Sequence, residues 1–230
     1  MNTLVAARGQ TDRHMNTGND AFQSERLRMV REQLADIDDA RVITAMNLVP
    51  RHEFVPPEIR QRAYEDCALP IGFGQTISQP FIVAFMSAQL HLDPSDRVLE
   101  IGTGCGYQAA VLSRLVSTVH TIEIIEPLAR RAMENLKRIG CENVSVHIGD
   151  GSQGWPGGET FERIIVTCAP TRLPRPLLEQ LEDGGRMIAP IGHAEEEQQL
   201  ILLQRFGHEV RESAILPVRF VPMTGQTRTR

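Results

Sequence analysis

The stretch Arg97-Val-Leu-Glu-Ile-Gly-Thr-Gly-Cys-Gly-Tyr-Gln-Ala-Ala-Val-Leu112 decides the fold. Val98, Leu99 and Ile101 form a short apolar run that stops at Gly102, Gly104 and Gly106. A helical pattern follows, with Ala110, Val111, Leu115 and Val116 spaced to cover one face. Buried strand, glycine loop, then helix is the order in which an open parallel α/β sheet builds a nucleotide site. The glycines let the backbone approach a ligand closely, and the helix start presents unpaired N–H groups. A dinucleotide fingerprint needs its third glycine where Tyr107 stands, and no Lys-Ser/Thr pair follows the loop as a P-loop requires.

Composition narrows the reading. At 230 residues and 41% hydrophobic, the chain can bury one core and a small subdomain. A net charge of −5 and a pI near 5.8 argue against a broad surface for nucleic acid or anionic membrane. Cys67, Cys105, Cys141 and Cys168 form no C-x-x-C pair, and the seven histidines make no metal-binding spacing. Reduced thiols, no metal, and a cytoplasmic location are expected. No apolar run reaches transmembrane length, and no charged-then-apolar leader opens the chain.

Upstream, residues 1–21 are polar and read as a disordered tail. From Ser24 a helix is expected with Leu27, Val30 and Leu34 on its inner face, then a second after Asp38 or Asp39 with Val42, Ile43 and Met46 inward. The stretch Tyr64–Pro80 mixes glycines, prolines, hydroxyls and amides ahead of an apolar helix through Leu90, and reads as a binding loop. Ser78 stands where it could cap that helix, a role compatible with lining a site.

Downstream, Thr118–Glu123 is a second strand whose terminal Glu123 is placed to reach ribose hydroxyls, or is simply a strand-end acid. A helix over Glu126–Ile139 closes at Gly140, and Asn143–Ile148 leads to Gly149-Asp-Gly151. Asp150 suits either a tight turn or an adenine amino group. Arg163–Thr167 is the fourth strand. Pro174 and Pro176 open a helix that Gly184-Gly185 closes, and Arg186–Ile191, Leu200–Leu203 and Ile215–Val221 complete the sheet. The architecture expected is α/β: a Rossmann-like, doubly wound, mostly parallel sheet of about seven strands with an N-terminal helical extension. Residues 22–92 would form that extension with a covering loop, residues 93–224 the cofactor-binding domain, and 225–230 a tail.

Glu100-x-Gly-x-Gly-x-Gly106 resembles motif I of the class I S-adenosylmethionine-dependent methyltransferases. Val49-Pro-Arg-His-Glu-Phe-Val-Pro56, Leu69-Pro-Ile-Gly-Phe-Gly-Gln-Thr-Ile-Ser-Gln-Pro80, Gly149-Asp-Gly151 and Val221-Pro-Met-Thr224 together resemble the protein-L-isoaspartate O-methyltransferase family over Ser24–Thr224. Phe73, Cys67 and Cys105 depart from that pattern conservatively. The resemblance implies that Ser78 is the active-site residue, with Gln75 and Thr76 lining its pocket. Glu100, Gly102 and Gly104 would frame the methionine part of S-adenosylmethionine, Glu123 its ribose, and Asp150 with Gly151 its adenine. Thr224 would lie near cofactor or peptide, and the last strands would be ordered differently from other class I methyltransferases.

The implied reaction moves the methyl of S-adenosylmethionine to the free α-carboxylate of an isoaspartyl residue, leaving S-adenosylhomocysteine. That carboxylate, with an ordinary pKa of about 4, is already ionised near neutrality, so no general base is required. The implied partners are isoaspartyl proteins and peptides met by a monomer, without nucleic acid or membrane. A nucleic-acid amino-methyltransferase should carry an Asn/Asp-Pro-Pro-Tyr/Phe segment where Thr167-Cys-Ala-Pro170 stands. A carboxylate O-methyltransferase of the same fold, acting on an aspartate of a dedicated peptide or on a small acid, is the most serious rival, ahead of a non-catalytic cofactor-binding or interaction protein.

Overall fold

Asp39 shows how closely local sequence sets local structure: its carboxylate accepts the amides of Arg41 and Val42 at 2.9 and 3.1 Å, capping a helix over Ala40–Leu48. Such a cap is worth about 1 kcal/mol. The structure is a computed structural model describing residues 21–225; the tails expected over 1–21 and 225–230 lie, apart from Ala21 and Gly225, outside the described residues. This capped helix is α2, and it follows α1 (Gln23–Gln33).

On the helix expected from Ser24, Leu34 is buried and Val30 packs against the core as expected, but Leu27 does not turn inward. Met29 is buried, whereas Leu27 is 50% exposed. The face turned inward carries Met29 and Gln33, and Gln33 Nε2 donates to the Tyr64 carbonyl at 2.8 Å. A polar group satisfied in this way is tolerated under a helix, which lets Met29 and Gln33 take the inward place expected of Leu27.

The expected loop contains a hairpin, β1 (Leu69–Gly72) paired antiparallel with β2 (Gln75–Ile77). Its turn residues Phe73 and Gly74 both have positive φ, 55° and 71°, as a two-residue primed turn demands. Helix α3 (Pro80–Gln89) follows, with Pro80 in its first turn.

Strand β3 (Arg97–Ile101) enters the glycine loop, and α4 leaves it at Tyr107 but ends at Leu112, sooner than the apolar spacing suggested. All six α4 residues are buried because the N-terminal helices cover its outer face. Next come β4 (Thr118–Glu123), α5 (Glu126–Arg138) and β5 (Val144–Ile148). Gly140 ends α5 at φ 72°: its N–H donates to the Lys137 carbonyl and that of Cys141 to the Leu136 carbonyl, at 3.2 and 3.0 Å.

The second half holds β6 (Phe161–Val166), α6 (Arg175–Glu179), β7 (Leu181–Ile191), β8 (Gln198–Phe206) and β9 (Glu209–Val218). Gly184 and Gly185 do not end α6; they lie inside β7, where its register against β6 slips. Glycine at a strand irregularity is the competing meaning of that pair.

The sheet order is β5-β4-β3-β6-β7-β8-β9. The first five strands are parallel, and β8 and β9 close the sheet as an antiparallel meander. The chain therefore winds outward from β3 to β5 and restarts at β6 on the other side of β3. The carboxyl ends of β3, β4 and β6 meet at that reversal, where a doubly wound sheet opens a crevice.

Candidate active site

The floor of the crevice is the glycine loop. Gly102, at φ 99°, donates its N–H to the Ile122 carbonyl at 2.9 Å, and the Thr167 hydroxyl donates to the Gly102 carbonyl at 2.6 Å. A Cβ at position 102 would stand 2.6 Å from Thr167 Oγ1, so only glycine fits. Glu123, 6% exposed at the end of β4, accepts the Gly104 amide on one oxygen and the Ile125 amide on the other, at 2.8 and 2.9 Å. Two backbone donors thus fix this carboxylate at the crevice, with lone pairs remaining for a ligand's hydroxyls.

Beneath the loop lies Glu100, fully buried, with neither oxygen reaching a hydrogen-bond partner among the described residues. Its cross-strand neighbour Thr121 shares a hydrogen bond with Thr103 Oγ1 at 2.7 Å, and its nearby hydroxyl offsets only part of the cost of burying the Glu100 carboxylate. Burial, reinforced by the nearby charge of Glu123, pushes the Glu100 carboxyl up to about 8. An unpaired acid under a ligand site is an uncompensated cost that a cationic ligand above it relieves.

The hairpin and the segment after β9 roof the crevice. Val221 and Met223 pair with Ala169, which donates to the Val221 carbonyl and accepts the Met223 amide, both at 2.8 Å. This strap carries Thr224 to the Gly151 side of the crevice. Under the roof two small cavities of about 50 and 40 Å³ share Gln75, Gly102, Glu123 and Cys168. Beside them opens a cleft of about 540 Å³ between the hairpin, the first turn of α3 and the strap. Thr76, Ser78, Thr167 and Val221 line both this cleft and the inner crevice.

The structure therefore brings together Gln75, Thr76, Ser78, Gly102, Gly104, Glu123, Gly151 and Thr224. Ser78 does not cap α3: Gln79 occupies the cap position, and the Ser78 hydroxyl makes no hydrogen bond among the described residues. Glu100 and Asp150 are placed differently, lining none of these spaces. Glu100 lies below the loop, and Asp150 Oδ1 accepts the Ser152 amide at 2.9 Å, opening a 3₁₀ turn over Gly151–Gln153. The Asp150 carboxylate also lies against Gly225 of the strap. Sequence reasoning missed Thr167 and Val221 as lining residues; the position of Thr167 at the end of the strand beside β3 was the available signal.

Chemically, the junction offers hydroxyls and amides and no free nucleophile. Burial pushes the Cys168 thiol far up, with Glu123 and Asp150 adding to it, and holds Cys105 at about 11, so both stay protonated. Among the described residues no three His, Cys, Asp or Glu side chains converge as metal ligands, and no helix is long and apolar enough to cross a membrane. The donor set fits S-adenosylmethionine: Gly102 admits no Cβ, Glu123 offers a rigid carboxylate for ribose, and Glu100 is a buried acid whose ionisation a cation above it would favour.

A family model described as protein-L-isoaspartate(D-aspartate) O-methyltransferase matches residues 23–228. A protein-L-isoaspartate O-methyltransferase of Opitutus terrae is 50% identical over 206 residues, spanning 89% of this chain and 88% of its own. That of Gloeobacter violaceus is 50% identical over 198 residues, spanning 85% and 97%. A solved protein-L-isoaspartate O-methyltransferase superposes with a TM-score of 0.80 at 30% identity, over 88% of this chain and 67% of that one. A Plasmodium falciparum chain solved with S-adenosyl-L-homocysteine shares the fold, with a TM-score of 0.76 at 23% identity over 88% and 97% of the two chains.

Proposed function

Because the chain belongs to the protein-L-isoaspartate(D-aspartate) O-methyltransferase family, we propose that the inner crevice holds the cofactor, the 540 Å³ cleft admits the isoaspartyl peptide, and Ser78 orients the acceptor where they meet. The protein is an S-adenosylmethionine-dependent protein carboxyl O-methyltransferase, and its product ester starts the repair of isoaspartyl sites. The observation that carries the residue assignment is the shared wall. A group transferred between two spaces must cross where they join, and Thr76, Ser78, Thr167 and Val221 line both.

When bound, S-adenosylmethionine supplies an electrophilic methyl on a sulfonium. Everything else asked of the chain is placement. Glu123 holds the ribose hydroxyls, Gly102 and Gly104 let the backbone close on the methionine part, and Gln75, Gly151 and Thr224 border the remainder. Glu100 acts from below as an acid whose ionisation the bound cation favours, and Asp150 by setting the turn that presents Gly151. The Ser78 hydroxyl donates a hydrogen bond to the acceptor carboxylate and aims one oxygen at the methyl carbon, while Thr76 fixes the peptide beside it. The acceptor is ionised near neutrality, so the chain need remove no proton. Orientation of this kind is worth on the order of 7–11 kcal/mol of barrier. The ester then closes to a succinimide by attack of the backbone nitrogen, which reopens in part to normal aspartate without the enzyme.

Residues 22–92 act as the cover and residues 93–224 as the cofactor domain in this reading. We place the protein as a cytoplasmic monomer acting on polypeptides rather than nucleic acid or membrane, supported by its net charge of −5 and four free thiols. Ser78→Ala tests the central assignment: turnover should fall about 10²-fold, the scale of losing one oriented donor, with S-adenosylhomocysteine affinity unchanged. Full activity in that variant would overturn it.

A further inference from the structure

The strap over the site is held at its β9 end by a side chain. The ladder between β8 and β9 ends at Gln198 opposite Val218, and there the backbones part. Gln198 is wholly buried, and its amide takes over the pairing. Nε2 donates to the Phe220 carbonyl at 3.1 Å, and the Phe220 amide donates to Oε1 at 2.7 Å. A primary amide presents the same donor and acceptor as a peptide unit, so this side chain acts as one more strand residue for a segment already leaving the sheet. The next residue, Val221, forms part of the wall common to the acceptor cleft and the cofactor crevice.

We propose that Gln198 is a positioning residue for methyl transfer, setting through Phe220 the wall of the acceptor cleft at Val218–Val221. The proposal rests on the reading of that cleft as the peptide site. The strap has two fastenings with different duties. Ala169 holds Val221 and Met223 above the cofactor side, and Gln198 holds Phe220 on the acceptor side. Losing the second should blur the peptide site while the first keeps the cofactor site in register.

The test uses the purified full chain, S-adenosylmethionine and an isoaspartyl peptide, with two variants. Gln198→Met keeps the volume and removes both bonds, leaving the part-buried N–H and C=O of Phe220 without their partner. Its peptide KM should rise about tenfold or more, while S-adenosylhomocysteine affinity stays within about threefold of wild type. Gln198→Glu is sharper. Its ionised form sets an oxygen against the Phe220 carbonyl, whereas its protonated form restores an O–H donor. Relative to wild type at the same pH, its activity should therefore recover by about tenfold between pH 8 and pH 6, a dependence that a merely space-filling role would not produce. An unchanged peptide KM in Gln198→Met, equal losses of peptide and cofactor affinity, or a pH-independent ratio for Gln198→Glu would overturn the proposal. If Gln198→Met fails to fold, the Gln198→Glu ratio decides alone. A wild-type protein that leaves the isoaspartyl peptide unmethylated overturns the peptide-site reading instead.

Discussion

Glu100 is buried with both oxygens unpartnered, so the folded chain favours its protonated form. An acid whose folded value lies above its unfolded value contributes stability fully below the unfolded value, about 4.5, and loses it as pH rises through about 8. In the absence of cofactor, the melting temperature of wild type should therefore fall more steeply between pH 6 and pH 9 than that of Glu100→Gln. Thermal melts across that range check it, and parallel curves would contradict it. Cationic S-adenosylmethionine should offset the loss, so the stabilisation it gives wild type should grow with pH. Gly102 is a second single-residue constraint. Gly102→Ala adds a Cβ against Thr167 Oγ1 at a φ of 99°, and should cost about 1–3 kcal/mol in denaturant unfolding together with most cofactor affinity. At this scale the sequence was informative about residue type and less so about where an acid points. Glu123 was legible from its strand-end position. The side chains of Glu100 and Asp150 were not, because both depend on neighbours distant in sequence.

At the scale of elements, the β1–β2 hairpin shows what a compositional reading hides. Two glycines and two prolines look like loop chemistry, yet Phe73 and Gly74 form a turn that pairs Leu69 with Ile77. Phe73 is a non-glycine residue in left-handed backbone, where Asn is better tolerated, and its ring is 53% exposed. Phe73→Asn should stabilise the hairpin by up to about 1 kcal/mol and slow hydrogen exchange of its amides. Faster exchange would show that the aromatic ring contributes more, through its contact with Arg131 at 5.9 Å. The short, all-buried α4 is a second case: spacing located its start, but only the covering N-terminal helices explain why no face is left for solvent. Local signals did better where the chemistry is local, as at the Asp39 cap and the Gly140 helix end.

For the molecule as a whole, strand-loop-helix succession made the doubly wound sheet legible, whereas the strand order and the reversal beside β3 come from the structure. The closing meander and the strap were beyond local reading, since both depend on pairings such as Ala169 with Val221 and Gln198 with Phe220 that no periodicity announces. The strap lines both the cleft and the inner crevice, and through it the C-terminal segment completes a crevice founded on β3. The most direct measurement presents the purified protein with S-adenosylmethionine and two peptides identical except for Asp or isoAsp at one position, and follows methyl transfer. Methylation of the isoAsp peptide alone is the predicted result. Equal methylation of both peptides, or of neither while cofactor remains bound, would contradict the account.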